Sequence, residues 1–203
     1  MTAQQPNPAR LTREFFNRNT VVVARALLGQ RLVRLLDGQR LSGLICETEA
    51  YGGPEDQASH AYRRTPRSAI MYGPPGYAYV YFIYGMHFCL NVVTEAEGRA
   101  GAVLIRSILP QEGIALMRGH RPGVSDGQLT NGPGKLCRAL RITDALNGLD
   151  LTTSPVLFLE AGPSIPDTQV IITPRIGVRG DSEARLRPWR FVWQPAPLAA
   201  GLE

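Results

Sequence analysis

The chain has 203 residues, 44% of them hydrophobic, enough to bury one sizeable core with a pocket beside it but cramped for two full domains. No apolar run approaches the roughly 20 residues of a membrane span, and three dispersed cysteines (Cys46, Cys89, Cys137) offer neither a disulfide framework nor paired zinc-ligand spacing. A net charge of +5 and a pI of about 9.4 favour a polyanionic partner without requiring one.

Residues 1–10 hold Gln, Asn and Pro around no apolar centre, so they read as a flexible leader rather than a secretory signal, and a cytoplasmic address follows. Residues 11–203 are expected to form a single domain. Apolar residues at helical spacing over 11–28 predict two short helices, with Thr12 as an N-cap and Gly29 as a stop. Segments 31–36 and 41–48 predict strands joined by a tight turn at Asp37-Gly38. Residues 52–76 carry four prolines and predict a long loop, of a length that in compact domains usually serves function. Segments 77–84 and 87–94, rich in aromatic and branched residues, predict a second hairpin turning at Gly85-Met86. A strand is expected at 102–108, helices at 110–118 and 133–140 with Pro in the first turn, and short strands at 156–159, 170–173 and 190–193. Together these predict an α+β single domain: a curved, mainly antiparallel β-sheet with flanking helices and a protruding β-hairpin.

All seven tyrosines fall between positions 51 and 84. Tyr77, Tyr79 and Tyr81 alternate along a strand and so share a face, where stacked rings hold an unstacked base or simply line a core. Tyr84 sits at the hairpin turn, where a bulky ring finds little core and suits a wedge between base steps. Glu47 and Glu49, at i and i+2 on a strand, put both carboxylates on one side, as in glycoside hydrolysis, where one carboxylate activates water; a solvated strand edge gives the same pattern. Spacing alone does not choose between the two. Arg63, Arg64 and Arg67 in the long loop are placed to meet phosphates. The three histidines are too dispersed for a metal cluster, NGPGK at 131–135 lacks the spacing of a phosphate loop, and neither metal nor cofactor is expected. Lys135 in that turn is the only lysine.

The stretches ETEAY at 47–51, GPED at 53–56, SH at 59–60, TPR at 65–67, YVYFIYGMHFCLN at 79–91, VLIR at 103–106 and NGPGKLC at 131–137 occur in the order and company that resembles the alkyladenine (3-methyladenine) DNA glycosylase family, in its bacterial form. The resemblance implies a DNA-repair enzyme that extrudes a damaged purine from double-stranded DNA and hydrolyses its N-glycosidic bond. By the same resemblance Glu49 is the general base for water, with Glu47 in support and Arg106 helping to hold the water beside a carbonyl near Val178. Tyr51, His60 and Tyr81 surround the base, Asn91 discriminates against the exocyclic amine of guanine, and Tyr84 is the intercalating wedge. His87, beside the wedge, and the connection 94–101 depart from the family's pattern. With one lysine available, the expectation is a monofunctional, monomeric enzyme that leaves an abasic site, in association with the nucleoid. The competing readings are a nucleosidase for small substrates and a non-catalytic nucleic-acid-binding module.

Overall fold

A computed structural model describes residues 9–194, so all but the last two residues of the expected leader lie outside it. The chain opens with α1 (Arg13–Phe16) and α2 (Thr20–Ala26). Asn19 caps α2 by accepting from the N–H groups of Val21 and Val22, whereas Thr12 occupies the cap position of α1 with no side-chain bond to it. Gly29 ends the pair at φ +83°, and a Cβ there would meet the Pro163 carbonyl oxygen at 2.3 Å.

Strands β1 (Arg31–Leu36) and β2 (Gln39–Tyr51) form the first hairpin. Asp37 and Gly38 both take positive φ, as the tightest hairpin turns require. Because β2 runs to Tyr51, past the expected end at 48, Glu49 and Tyr51 are strand residues with fixed directions. β3 (Ala78–Ile83) and β4 (His87–Val93) form the second hairpin, with Tyr84, Gly85 and Met86 at its tip. Between the hairpins, the long loop is organised by two 3-10 turns, His60–Tyr62 and Ala69–Tyr72.

The expected helix at 110–118 is corrected: β5 spans Ala102–Glu112 and the helix, α3, spans Ile114–His120. Pro110 fits a strand here because β4 pairs with β5 only through Val103 and its immediate neighbours, and Pro110 faces Gly43 of β2 beside a register shift. On the β4 side, Pro110 therefore denies no ladder partner an N–H. Gly113, at φ +72°, turns the chain into α3. The rest comprises α4 (Pro133–Ala139), with Pro133 in its first turn, β6 (Leu157–Glu160), β7 (Val170–Thr173), α5 (Ser182–Leu186) and β8 (Arg190–Trp193). Helix α5, capped by the Asp181 carboxylate on the Ala184 N–H, is too short to show a helical period in the sequence.

Among the described residues, eight strands make one antiparallel sheet in the order β3-β4-β5-β2-β1-β6, with β8 bridging β2 to β7. Strand alternation divides its residues between two faces. Val80, Leu90, Val92, Val103 and Ile105 join Val23 of α2 and Leu136 of α4 in the main core. The other face carries Tyr79, Tyr81, Asn91 and Glu49. Cys89 and Cys137 are buried free thiols, and Cys46 is only half-buried. No helix among the described residues is long and apolar enough to cross a membrane.

Candidate active site

Register brings the site together. Tyr79 pairs with Asn91, Asn91 with Leu104 and Leu104 with Glu49, so one row of side chains crosses β3, β4, β5 and β2 on a single face. Next to this row the β2–β5 ladder slips twice, between Ile45 and Glu47 and between Glu47 and Thr48. Glu47 faces Ser107 while Thr48 faces Ile105, which leaves Arg106 as an extra residue, and such a bulge re-aims its side chain. The Arg106 guanidinium accordingly lies between the two carboxylates that the sequence singled out. Its Nε donates to Glu47 Oε1 at 2.8 Å, and its Nη1 is 3.2 Å from Glu49 Oε2. Burial works against the charge on Arg106, but Glu49 and Glu47 outweigh it and raise its pKa.

The two glutamates differ in what else they touch. Glu47 accepts a second arginine, Arg190 Nε, at 2.7 Å. Glu49 is wholly buried; its Oε2 accepts from the Tyr51 hydroxyl at 2.7 Å and its Oε1 from the Ile176 N–H at 2.7 Å. Burial above all, and then the charge of Glu49, push the Tyr51 phenol well up, so it remains a donor. Two hydrogen-bond donors and the Arg106 guanidinium thus converge on Glu49, and all three belong to residues that line one cleft.

That cleft, of about 760 Å³, is in the size range of small-ligand sites. Tyr51, His60, Tyr81, Asn91 and Arg106 all line it, together with Tyr84 at the mouth. His60 Nδ1 is 2.8 Å from the Tyr79 hydroxyl, and its ring meets Tyr81 edge to face at 4.7 Å between centroids. Burial, followed by the charge of Arg67, lowers the His60 pKa to about 4, so the imidazole is neutral at physiological pH. Burial raises the Tyr81 phenol. Asn91, 3% exposed, is fixed by donation from Nδ2 to the Tyr79 carbonyl at 3.1 Å. Tyr84 is 79% exposed at φ +55°. Val178 lines the cleft together with Ile176 and Gly177.

The loop arginines behave differently from one another. Arg64 lies over the Tyr72 ring and Arg67 over the Tyr81 ring, at 4.8 and 4.7 Å to the centroids. These are cation–π contacts, so both are partly engaged within the protein, while all three of Arg63, Arg64 and Arg67 are exposed. Lys135 also lines the cleft, where its Nζ donates to Asn131 Oδ1 at 2.8 Å. His87 packs over the start of α4: a Cβ on Gly134 would lie 2.9 Å from its Cγ. The connection 94–101 is closed by the Thr94 N–H on the Gly101 carbonyl and tied to α2 by Glu95 accepting from Thr20. Among the described residues no group of three His, Cys, Asp or Glu is placed to hold a metal ion.

Sequence reasoning missed Asp56, Arg175 and Ile176. Asp56 and Arg175 are both fully buried and paired through two contacts, at 2.6 and 2.8 Å. In a chain with 21 arginines, nothing marks Arg175 as a buried one. Its only sequence signal is its place three residues before Val178, in the run Arg175-Ile176-Gly177-Val178, and Asp56 ends the GPED stretch.

Residues 14–197 match the family model described as methylpurine-DNA glycosylase (MPG). Curated relatives carrying the name "Putative 3-methyladenine DNA glycosylase" come from Desulfitobacterium hafniense (49% identical; 90% of this chain and 94% of the relative), Methanocella arvoryzae (48%; 94% and 95%) and Carboxydothermus hydrogenoformans (46%; 89% and 93%). With a family model matched over nearly its whole length and relatives of this closeness, the chain belongs to the methylpurine-DNA glycosylase family and is a DNA N-glycosylase of DNA repair.

Proposed function

We propose that the protein excises alkylated purines, 3-methyladenine and 7-methylguanine first, with hypoxanthine and ethenoadenine as further substrates. The nucleotide is extruded into the tyrosine-lined cleft, a water is activated by Glu49, and an intact abasic site remains. The observation that carries this reading is the buried Glu49 carboxylate directly behind the cleft wall, held by two hydrogen bonds and an ion pair from residues that themselves line the cleft.

An ionised carboxylate offers about four lone-pair positions over its two oxygens. Oε2 faces both the Tyr51 hydroxyl and Arg106, whereas Oε1, among the described residues, accepts only the Ile176 N–H. The free position on Oε1 takes the proton of the attacking water. Alkylation at N3 or N7 makes the purine a cationic leaving group, so the sugar develops oxocarbenium character as the base departs and water adds to C1′. General-base assistance of this kind supplies roughly 10²- to 10⁴-fold.

In the cleft, Tyr51, Tyr81 and the neutral His60 offer aromatic faces and a hydrogen-bonding edge to the extruded base. Asn91, fixed on the Tyr79 carbonyl, opposes the exocyclic amine of guanine; in 7-methylguanine the weakened glycosidic bond offsets that contact. Tyr84 fills the gap left in the duplex, and Arg63, Arg64 and Arg67 hold flanking phosphates. The exposed ring of Tyr84 favours a duplex substrate over a free nucleoside. The enzyme acts as a monomer.

The test is release of free base from duplexes carrying each of the four lesions. Release with an abasic product is expected, and no release from any of them would overturn the reading. Borohydride treatment during turnover is expected to trap no protein–DNA adduct. A trapped adduct would instead place Lys135, in the cleft wall, in a Schiff base with the sugar.

A further inference from the structure

The buried Asp56–Arg175 pair touches neither the carboxylate nor the cleft, yet it joins the two segments that deliver donors to Glu49. Arg175 Nη1 donates to Asp56 Oδ2 at 2.6 Å and to the Ala50 carbonyl at 2.9 Å; Nη2 donates to Asp56 Oδ1 and to the Ala184 carbonyl, both at 2.8 Å. Ala50 immediately precedes Tyr51, and Ile176 immediately follows Arg175. One planar guanidinium therefore fixes the chain on both sides of Glu49. Asp56 is anchored in turn by the N–H groups of Gly52 and Ala58, which ties in the loop leading to His60. The faces of the guanidinium lie 4.9 Å from the Tyr51 ring centroid and 5.1 Å from that of Trp189.

Burying two charges is seldom the most stabilising solution for a core. Here the fork does what an apolar pair of similar volume cannot: it holds two backbone segments and the Tyr51 ring in one geometry. We propose that Asp56 and Arg175 are positioning residues for the reaction, a clamp that keeps the Tyr51 hydroxyl and the Ile176 N–H on Glu49. This rests on the reading of Glu49 as the general base. Misplacing reacting groups by about an ångström costs on the order of 10²-fold in rate, so loosening the clamp slows chemistry while the cleft and the wedge still take DNA.

Arg175→Lys keeps the charge opposite Asp56 but cannot serve Asp56, Ala50 and Ala184 together. Single-turnover release of methylpurine from dimethyl-sulfate-treated duplex is expected to fall roughly 10- to 100-fold, while Kd for a duplex with a tetrahydrofuran abasic site stays within about threefold. In a Glu49→Gln background the same substitution is expected to add little, because the group it positions is already lost. If Arg175→Lys fails to fold, the neutral pair Asp56→Asn with Arg175→Gln is read in its place. An unchanged rate, a parallel loss of rate and binding, or an equal loss in the Glu49→Gln background would overturn the clamp. If Glu49→Gln alone excises normally, it is the general-base reading that fails instead.

Discussion

Replacing Tyr84 with Asn should push folding stability and DNA binding in opposite directions. Tyr84 is 79% exposed and holds φ at +55°, a left-handed conformation that costs an ordinary L-residue about 1–2 kcal/mol and that Asn adopts more readily. Its ring has little burial to lose, and exposed positions of this kind change stability by only about 0.5 kcal/mol through contacts. The variant should therefore gain about 1 kcal/mol, which for a domain of this size raises Tm by roughly 2–4 °C. Against DNA the ring's stacking contributes about 1–3 kcal/mol, and at 1.36 kcal/mol per tenfold its loss weakens binding about 5- to 150-fold. Thermal denaturation by circular dichroism reads the first effect. Fluorescence anisotropy with an abasic duplex at one fixed ionic strength reads the second, since phosphate contacts make affinity depend on salt. A fall in Tm would show that the ring packs within the protein, and an unchanged Kd would remove it as a wedge.

Tyr51→Phe deletes the hydroxyl that donates to Glu49 Oε2 but keeps the ring against Arg175. A buried hydrogen bond to a charged group contributes about 1.5–3 kcal/mol to stability, so Tm is expected to fall by roughly 3–12 °C, and if the same bond holds Glu49 during the reaction, single-turnover excision falls about 10- to 100-fold. His60 should titrate far below the ordinary 6.5, near the value of about 4 that burial and Arg67 impose, when followed by NMR of its ring protons. Arg67→Gln should move that midpoint up. The sign is fixed by the lowered folded value: below about 6.5 the unfolded chain takes a proton that folded His60 refuses, so stability declines as pH falls towards about 4 and then levels off. His60 is exposed at the cleft, and water screens the free energy attached to this shift; the midpoint itself is the measurement.

Strands and hairpins were legible in the sequence because a period of two and the Asp37-Gly38 and Gly85-Met86 turns are local signals. The shared face of Tyr79 and Tyr81 followed from the same period. Pro110 misled because Pro marks the first turn of helices as well as the freer edges of sheets, and only the length of β4 decides between them. Glu47 and Glu49 were legible as a pair but equivalent by spacing. Their distinction comes from Tyr51, two residues on, and from Ile176, 127 residues away. The bulge that aims Arg106 depends on the register of β5 against β2, and the burial of Arg175 depends on where the last loop folds back. Both are products of long-range pairing, which no window of sequence contains.

The central claim is that Glu49 activates the attacking water, and single-turnover excision by Glu49→Gln tests it most directly. Gln preserves the side chain's shape and an acceptor oxygen but cannot take the proton. The variant is expected to bind lesion duplex within about threefold of the native enzyme while excising at least about 100-fold more slowly. Excision at close to the native rate would contradict the account.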